Sequence, residues 1–184
     1  MNLERVNGNY QELLKTQAVE FDGDPRVATQ VIQILNSPLN RPHFANPYQS
    51  VEEMQEVAND NKRHILTHEV GGKVVATATI DDAAAPVNGH YLNAFSVSED
   101  LQGNGVGREF MEHVKTWAFN NETYESRERK SLRIGIAMGI DGWEKMYKLA
   151  KSTGFTVVGV LSNQMEIESG DVDVMLMTVH HDKK

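Results

Sequence analysis

Phe95-Ser-Val97-Ser-Glu-Asp-Leu-Gln102-Gly103-Asn104-Gly105-Val106-Gly107-Arg108 feeds an apolar, β-favouring run into an amphipathic helix through three glycines in five positions. Glycine takes positive φ with no Cβ penalty, so successive backbone N–H groups can turn the same way. The helix that follows adds unpaired N–H groups at its positive end. Such a turn is an anion cradle, and a pyrophosphate fits it.

Three glycine-rich phosphate loops compete for this segment. The dinucleotide fingerprint is G-x-G-x-x-G, but here the third glycine comes one residue early, and no acidic residue on a second strand about 20 residues on completes it. A phosphate loop of the Walker type needs Gly-Lys-Ser/Thr at its end, whereas Gly107 is followed by Arg108-Glu109. The pattern that remains is Gln/Arg-x-x-Gly-x-Gly/Ala, met by Gln102, Gly105 and Gly107. On these residues the chain resembles the GNAT superfamily of acyl-CoA-dependent N-acyltransferases, whose pyrophosphate loop lies between the fourth strand and the next helix. The flanks fit. Ile65–Val70 and Lys73–Ile80 read as a hairpin joined by Gly71-Gly72, a tight-turn pair. Downstream come the strand Leu132–Met138, a helix from Gly142, Gly154-Phe155 and the strand Thr156–Leu161, the family's order. The resemblance covers roughly Ile65 to Val179; the first sixty residues match only in being helical.

It implies an α/β domain around a mixed, mostly antiparallel sheet flanked by helices. The fourth and fifth strands would run parallel and splay, opening a V-shaped cleft for pantetheine. One domain is expected over residues 1–184: a helical part at 1–62, a cofactor-binding core at 63–179 and a frayed tail at 180–184.

Composition narrows the function classes. The chain has 184 residues, 40% hydrophobic and 24% charged, an ordinary globular mix. No apolar run reaches membrane-spanning length and Met1-Asn-Leu-Glu-Arg lacks signal-peptide regions. With no cysteine, disulfides, cysteine metal sites and cysteine nucleophiles are out. A cytoplasmic protein is expected. The net charge of −8 disfavours nucleic acid, which needs a basic face, and attracts cationic amine acceptors; it also serves solubility alone. A homodimer is left open. No metal site is expected, since His64 and His68 fall in a strand and no His-Glu-x-x-His occurs. Ser96 and Ser98 lack a nucleophile-elbow context.

Along the chain, Leu3–Val6 reads as a short strand and Asn9 to Glu12 as a helix start. Asp24-Pro25 opens a second helix, with Val27, Val31, Ile34 and Leu35 on one face and Asn36-Ser37-Pro38 as its stop. Ser50 to Glu53 is a capping box. After Tyr91–Val97, a helix from Arg108 to Asn120 buries Phe110, Met111, Val114, Trp117 and Ala118. Asn121–Lys130 reads as a charged connection, and Asn163–Asp171 as an acidic loop between antiparallel strands Thr156–Leu161 and Val172–Val179.

The resemblance assigns roles by position. Backbone N–H groups of Gly103, Asn104, Gly105, Val106, Gly107 and Arg108 would hold the pyrophosphate of acetyl-CoA, with Gln102 leading the motif and the Arg108 side chain either near the phosphates or simply exposed. Phe95, Ser96 and Val97 would pair with the pantetheine amides, and an N–H near Ser96 or Val97 would serve the oxyanion. The family's usual tyrosine acid, four residues before the Gly of Gly-Phe, is replaced by Ala150; Tyr147 lies one turn away, as a substitute or as core. Tyr91 stands where some members carry a glutamate base, flanked by His90. Asp81 and Asp82 either attract a cationic acceptor or solvate a turn. His43, Phe44 and Tyr48 either contact the acceptor or pin their loop to the core. The expected activity is acetyl transfer from acetyl-CoA to a primary amine of a small molecule or protein, by direct attack in a ternary complex. The alternative is a catalytically lapsed binding module that engages a basic partner through its acidic surface.

Overall fold

A computed structural model describes residues 18–44, 46–60, 62–82, 89–120, 129–167 and 170–182. The expected Leu3–Val6 strand, the helix start at Asn9 and most of the charged connection lie outside these residues. Among the described residues, seven strands form one sheet: β1 (Val19–Glu20), β2 (Arg63–Val70), β3 (Lys73–Asp82), β4 (His90–Val97), β5 (Arg129–Ala137), β6 (Thr156–Ile167) and β7 (Gly170–Asp182). Their spatial order is β1-β2-β3-β4-β5-β7-β6. All neighbours run antiparallel except β4 and β5.

Among the described residues, four α-helices cover the two faces: α1 (Pro25–Leu35), α2 (Val51–Ala58), α3 (Val106–Asn120) and α4 (Trp143–Ser152). Their starts follow from capping. Asp24 accepts the Arg26 N–H at 2.7 Å, and Pro25 takes the first helical position, where no N–H is missed. Ser50 accepts from the Glu53 N–H at 3.1 Å while Glu53 Oε2 accepts from the Gln49 N–H at 2.8 Å, a reciprocal cap. α1 and α2 bury Val31, Leu35 and Met54 against Ile65 and Val74. On the other face α3 sinks Phe110, Met111, Val114 and Ala118 into a core with Leu66, Ile80, Leu92, Leu132 and Met177. Burying side chains of this size contributes about 1.5–3 kcal/mol each. Trp117 is only half-buried, its ring 4.8 Å from His64 and 5.5 Å from His90. No helix among the described residues is long and apolar enough to cross a membrane.

Several boundaries differ from the sequence reading. The N-terminal part is not all helical: β1 pairs with β2 through Val19↔Thr67 and Glu20↔Leu66. The acidic loop is mostly strand, because β6 runs to Ile167 and β7 restarts at Gly170; carboxylates on a solvent-facing hairpin cost the ladder little. The tail is strand to Asp182, with His180 opposite Ser131 and His181 opposite Lys130, so Arg129 and Lys130 belong to β5.

One irregularity shapes the site. Thr79 pairs with Ala94 and Ile80 with Leu92, leaving Asn93 as an extra residue in β4. A bulge bends its strand and sharpens the local twist. β4 and β5 pair in parallel only at His90↔Leu132, Tyr91↔Arg133 and Leu92↔Ile134. Beyond the bulge they separate. The bulge also reverses side-chain parity: Leu92, Phe95 and Val97 pack on the α3 side, while Ala94 packs on the α1–α2 side.

Candidate active site

The gap between β4 and β5 opens into a cleft of about 830 Å³. β4 supplies Tyr91, Phe95, Ser96 and Val97; β5 supplies Ile134 and Gly135; α4 supplies Met146 and Leu149. His43 and Phe44 close it on the α1–α2 side, and Gln102, Gly103, Gly105, Gly107 and Arg108 rim the other end. Ser98 N–H donates to Val75 O of β3 at 2.9 Å. Because successive residues of a strand direct their amides to opposite sides, the amides of Val97 and Phe95 face the cleft.

The glycine loop lies along the cleft rim, and its helix starts two residues earlier than anticipated, at Val106. Gly103 and Gly105 hold φ of +81° and +87°, which L side chains rarely adopt. Gly105 O accepts from Arg108 N at 3.0 Å and Glu109 N at 3.2 Å. The Arg108 amide is therefore part of the helix ladder, and Asn104 N donates to Leu101 O at 3.4 Å, so the loop amides left open are those of Gly103, Gly105, Val106 and Gly107. Val106 itself is buried, so its side chain anchors the loop while its N–H belongs to the open first turn. A Cβ on Gly107 would stand 3.4 Å from Val97 Cγ2 and 3.5 Å from Leu149 Cδ2, which is how closely α3 approaches both walls. The Arg108 side chain is exposed at the rim.

Gln102 has a structural task besides leading the motif. Its Nε2 donates to Val97 O at 3.2 Å and to Asn40 Oδ1 at 3.1 Å. Asn40, which is buried, donates in turn to Val97 O at 3.1 Å and Ile34 O at 2.9 Å. This clasp ties the loop after α1, the end of β4 and the glycine loop together. The sequence reading passed over Asn40; a single asparagine in a loop offers no spacing signal. Replacing it with alanine would leave two buried carbonyls without that donor, at about 1–3 kcal/mol. We expect Asn40→Ala to lower the urea midpoint accordingly and to weaken acetyl-CoA binding; a midpoint unchanged from wild type would refute the clasp.

The proton-handling candidates separate in space. Tyr91 lines the cleft, its hydroxyl lying over Gly135 where a Cβ would collide with it. Burial, and secondarily Asp81, push its pKa up. His90 points away, buried on the α3 side with Nδ1 3.0 Å from Asp82 Oδ1; burial pushes its pKa down against the pull of Asp82. Tyr147 is not among the cleft walls; it is half-buried, 6.2 Å from the Trp143 ring with Lys151 Nζ 5.7 Å over its face. Tyr48 is core, its hydroxyl 3.3 Å from Thr79 Oγ1. Asp81 is taken up by Arg63 Nε at 2.6 Å and by Asn93 Nδ2. Of the three acceptor-side candidates, His43 and Phe44 reach the cleft.

The family model described as acetyltransferase (GNAT) family matches residues 28–128, more than half of the chain. The chain belongs to the GNAT acetyltransferase family. No curated protein sequence matches it. Among solved structures, a spermidine N-acetyltransferase mutant from Vibrio cholerae superposes with a TM-score of 0.69 at 16% identity, covering 89% of this chain and 94% of that one. The ribosomal-protein-S18-alanine N-acetyltransferase from Escherichia coli gives 0.64 at 17% identity, covering 91% and 94%. The spermidine N-acetyltransferase from Vibrio cholerae in complex with CoA and spermine gives 0.68 at 18% identity, covering 89% and 95%. At these identities the likeness is one of fold.

Members of the GNAT family use acetyl-CoA as acyl donor, and this chain's residues fit it. Gly103 and Gly105 have open space where a Cβ would sit, so a diphosphate can reach the backbone there. The Val97 amide, next to the glycine loop, suits an extended pantetheine, as an added strand suits a sheet edge. Val97 O is already held by Asn40 and Gln102, so at that residue the N–H is the group facing the donor.

Proposed function

We propose that this GNAT protein moves the acetyl group of acetyl-CoA onto a primary amine by direct attack in a ternary complex. The observation that supports this most is one continuous cleft joining the glycine cradle to the His43–Phe44 loop, with strand amides facing it midway. The cradle amides take the diphosphate, each charge-assisted bond contributing about 1.5–3 kcal/mol. Of the two cleft-facing β4 amides, that of Phe95 stands nearer Tyr91, so its N–H is the candidate oxyanion donor, and such donors typically stabilise the transition state by about 2.7–4 kcal/mol. Tyr91 keeps its proton at neutral pH and lies at the apex of the splay, so it is placed to protonate the departing thiolate.

The amine is cationic before reaction, and the net charge of −8 draws it in. Spermidine and the alanine of ribosomal protein S18 are the acceptors named for the structural neighbours; spermidine and alanine-initiated peptides therefore head the panel to test, with lysine peptides and aminoglycosides. Release of CoA thiol should depend on one of these amines. Thiol release equal with and without every amine would overturn the reading. The open cleft and unobstructed cradle speak against the binding-module alternative.

A further inference from the structure

We propose that His43, on the turn between α1 and α2, takes the proton from the acceptor amine. The inference rests on the acetyl-transfer reading above and replaces β4 as the source of the base. Among the described residues lining the cleft, the ionisable side chains are His43, Tyr91, Arg108, Asp141 and Lys145. Arg108 and Lys145 are cations with donors only. Tyr91 holds its proton, for the reasons given. Asp141 is a carboxylate, a weaker base than imidazole, and suits holding an ammonium group. His90 is buried on the far side of the sheet beside Asp82.

His43 is placed for the task. It is half-buried, and its Nε2 lies 3.9 Å from where a Cβ on Gly142 would stand. The imidazole therefore reaches from the α1–α2 turn to the turn before α4. Arg41 Nη1 donates to Phe44 O at 2.8 Å, which fixes that turn. Burial pushes the imidazole pKa below its ordinary value; Asp141 pulls it up and Lys145 pushes it down, both from the facing turn and helix. A neutral ring beside a carboxylate meets an incoming ammonium ion with both a proton acceptor and an opposite charge.

The step balances without another reagent. The ammonium group gives one proton to His43 Nε2, and the free amine nitrogen attacks the thioester carbonyl carbon. The C–N bond forms, the C–S bond breaks, and the nitrogen loses its second proton. One proton ends on the CoA sulfur and one passes through His43 to solvent.

The test is the pH profile of kcat/KM for His43→Gln, using whichever of spermidine or an alanine-initiated peptide wild type acetylates faster. A positioned base contributes about 10²–10⁴-fold. We expect a loss of at least about 100-fold, disappearance of the acidic limb, and partial recovery of His43→Ala with added imidazole. Asp141→Asn should move the wild-type limb to lower pH and Lys145→Ala to higher pH, opposite shifts that a purely structural role would not produce. Acetyl-CoA should still raise the melting temperature of His43→Gln. If it does and the acidic limb persists unshifted, the inference falls while acetyl transfer stands. If wild type itself is neither stabilised by acetyl-CoA nor releases thiol, both fall.

Discussion

Gly105→Glu should abolish measurable acetyl-CoA binding. Two effects add. The residue sits at φ +87°, where an L side chain costs about 1–2 kcal/mol, and the new carboxylate stands where the diphosphate must lie. Losing two cradle bonds alone removes about 3–6 kcal/mol, which weakens binding at least about 100-fold. In a thermal-shift titration, wild type at 100 times its dissociation constant gains about 2.7 kcal/mol; the variant should gain nothing at the same concentration. Gly105→Ala separates the causes. Nothing lies within 4 Å of its Cβ position, so it pays only backbone strain and should keep part of the shift. A wild-type shift for Gly105→Glu would remove the diphosphate from this loop.

Gly89→Ala should be the most damaging small substitution in the fold. Its φ is +144°, and a Cβ would collide with the carbonyl group of Ser131, 2.9 Å from the carbon and closer still to the oxygen. Backbone cannot rotate aside as a side chain can. The collision falls next to the first parallel pair, His90↔Leu132, so relief means parting β4 from β5 at the point where they must meet. We expect a loss of about 3 kcal/mol or more, a large share of a typical 5–15 kcal/mol, read as a lower urea midpoint. Acetyl-CoA binding should fall with it. A midpoint within about 0.5 kcal/mol of wild type, the range of neutral surface changes, would show that the strands do not meet as described.

The loop and its flanking elements were legible because each rests on local chemistry. Gly71-Gly72 take φ of +58° and +77°, as a two-residue hairpin requires, and Asp24 and Ser50 cap their helices where the spacing put them. The helix after the loop began early because Gly105 O, not Arg108, closes its first turn. What stayed hidden depends on distant partners. The Asn93 bulge is set by β3, Asn40 earns its place through Val97, and Gly89 by Ser131; none leaves a period or a motif. The acidic hairpin departs from the loop that its charge suggests, because a strand open to water tolerates charge well. Tyr48 and Tyr147 show the same limit. A tyrosine at the right spacing can turn toward a core or a helix face, and only tertiary packing decides.

Asn93 is one residue too many in β4, and that surplus resets which layer each side chain meets. Upstream and downstream of it the strand turns its alternate side chains to opposite layers, so Leu92 and Phe95, an odd number of positions apart, share the α3 side. A chain shortened by that residue would retain its hairpins and its glycine turn, yet send Phe95 and Val97 to the layer that now receives Ala94.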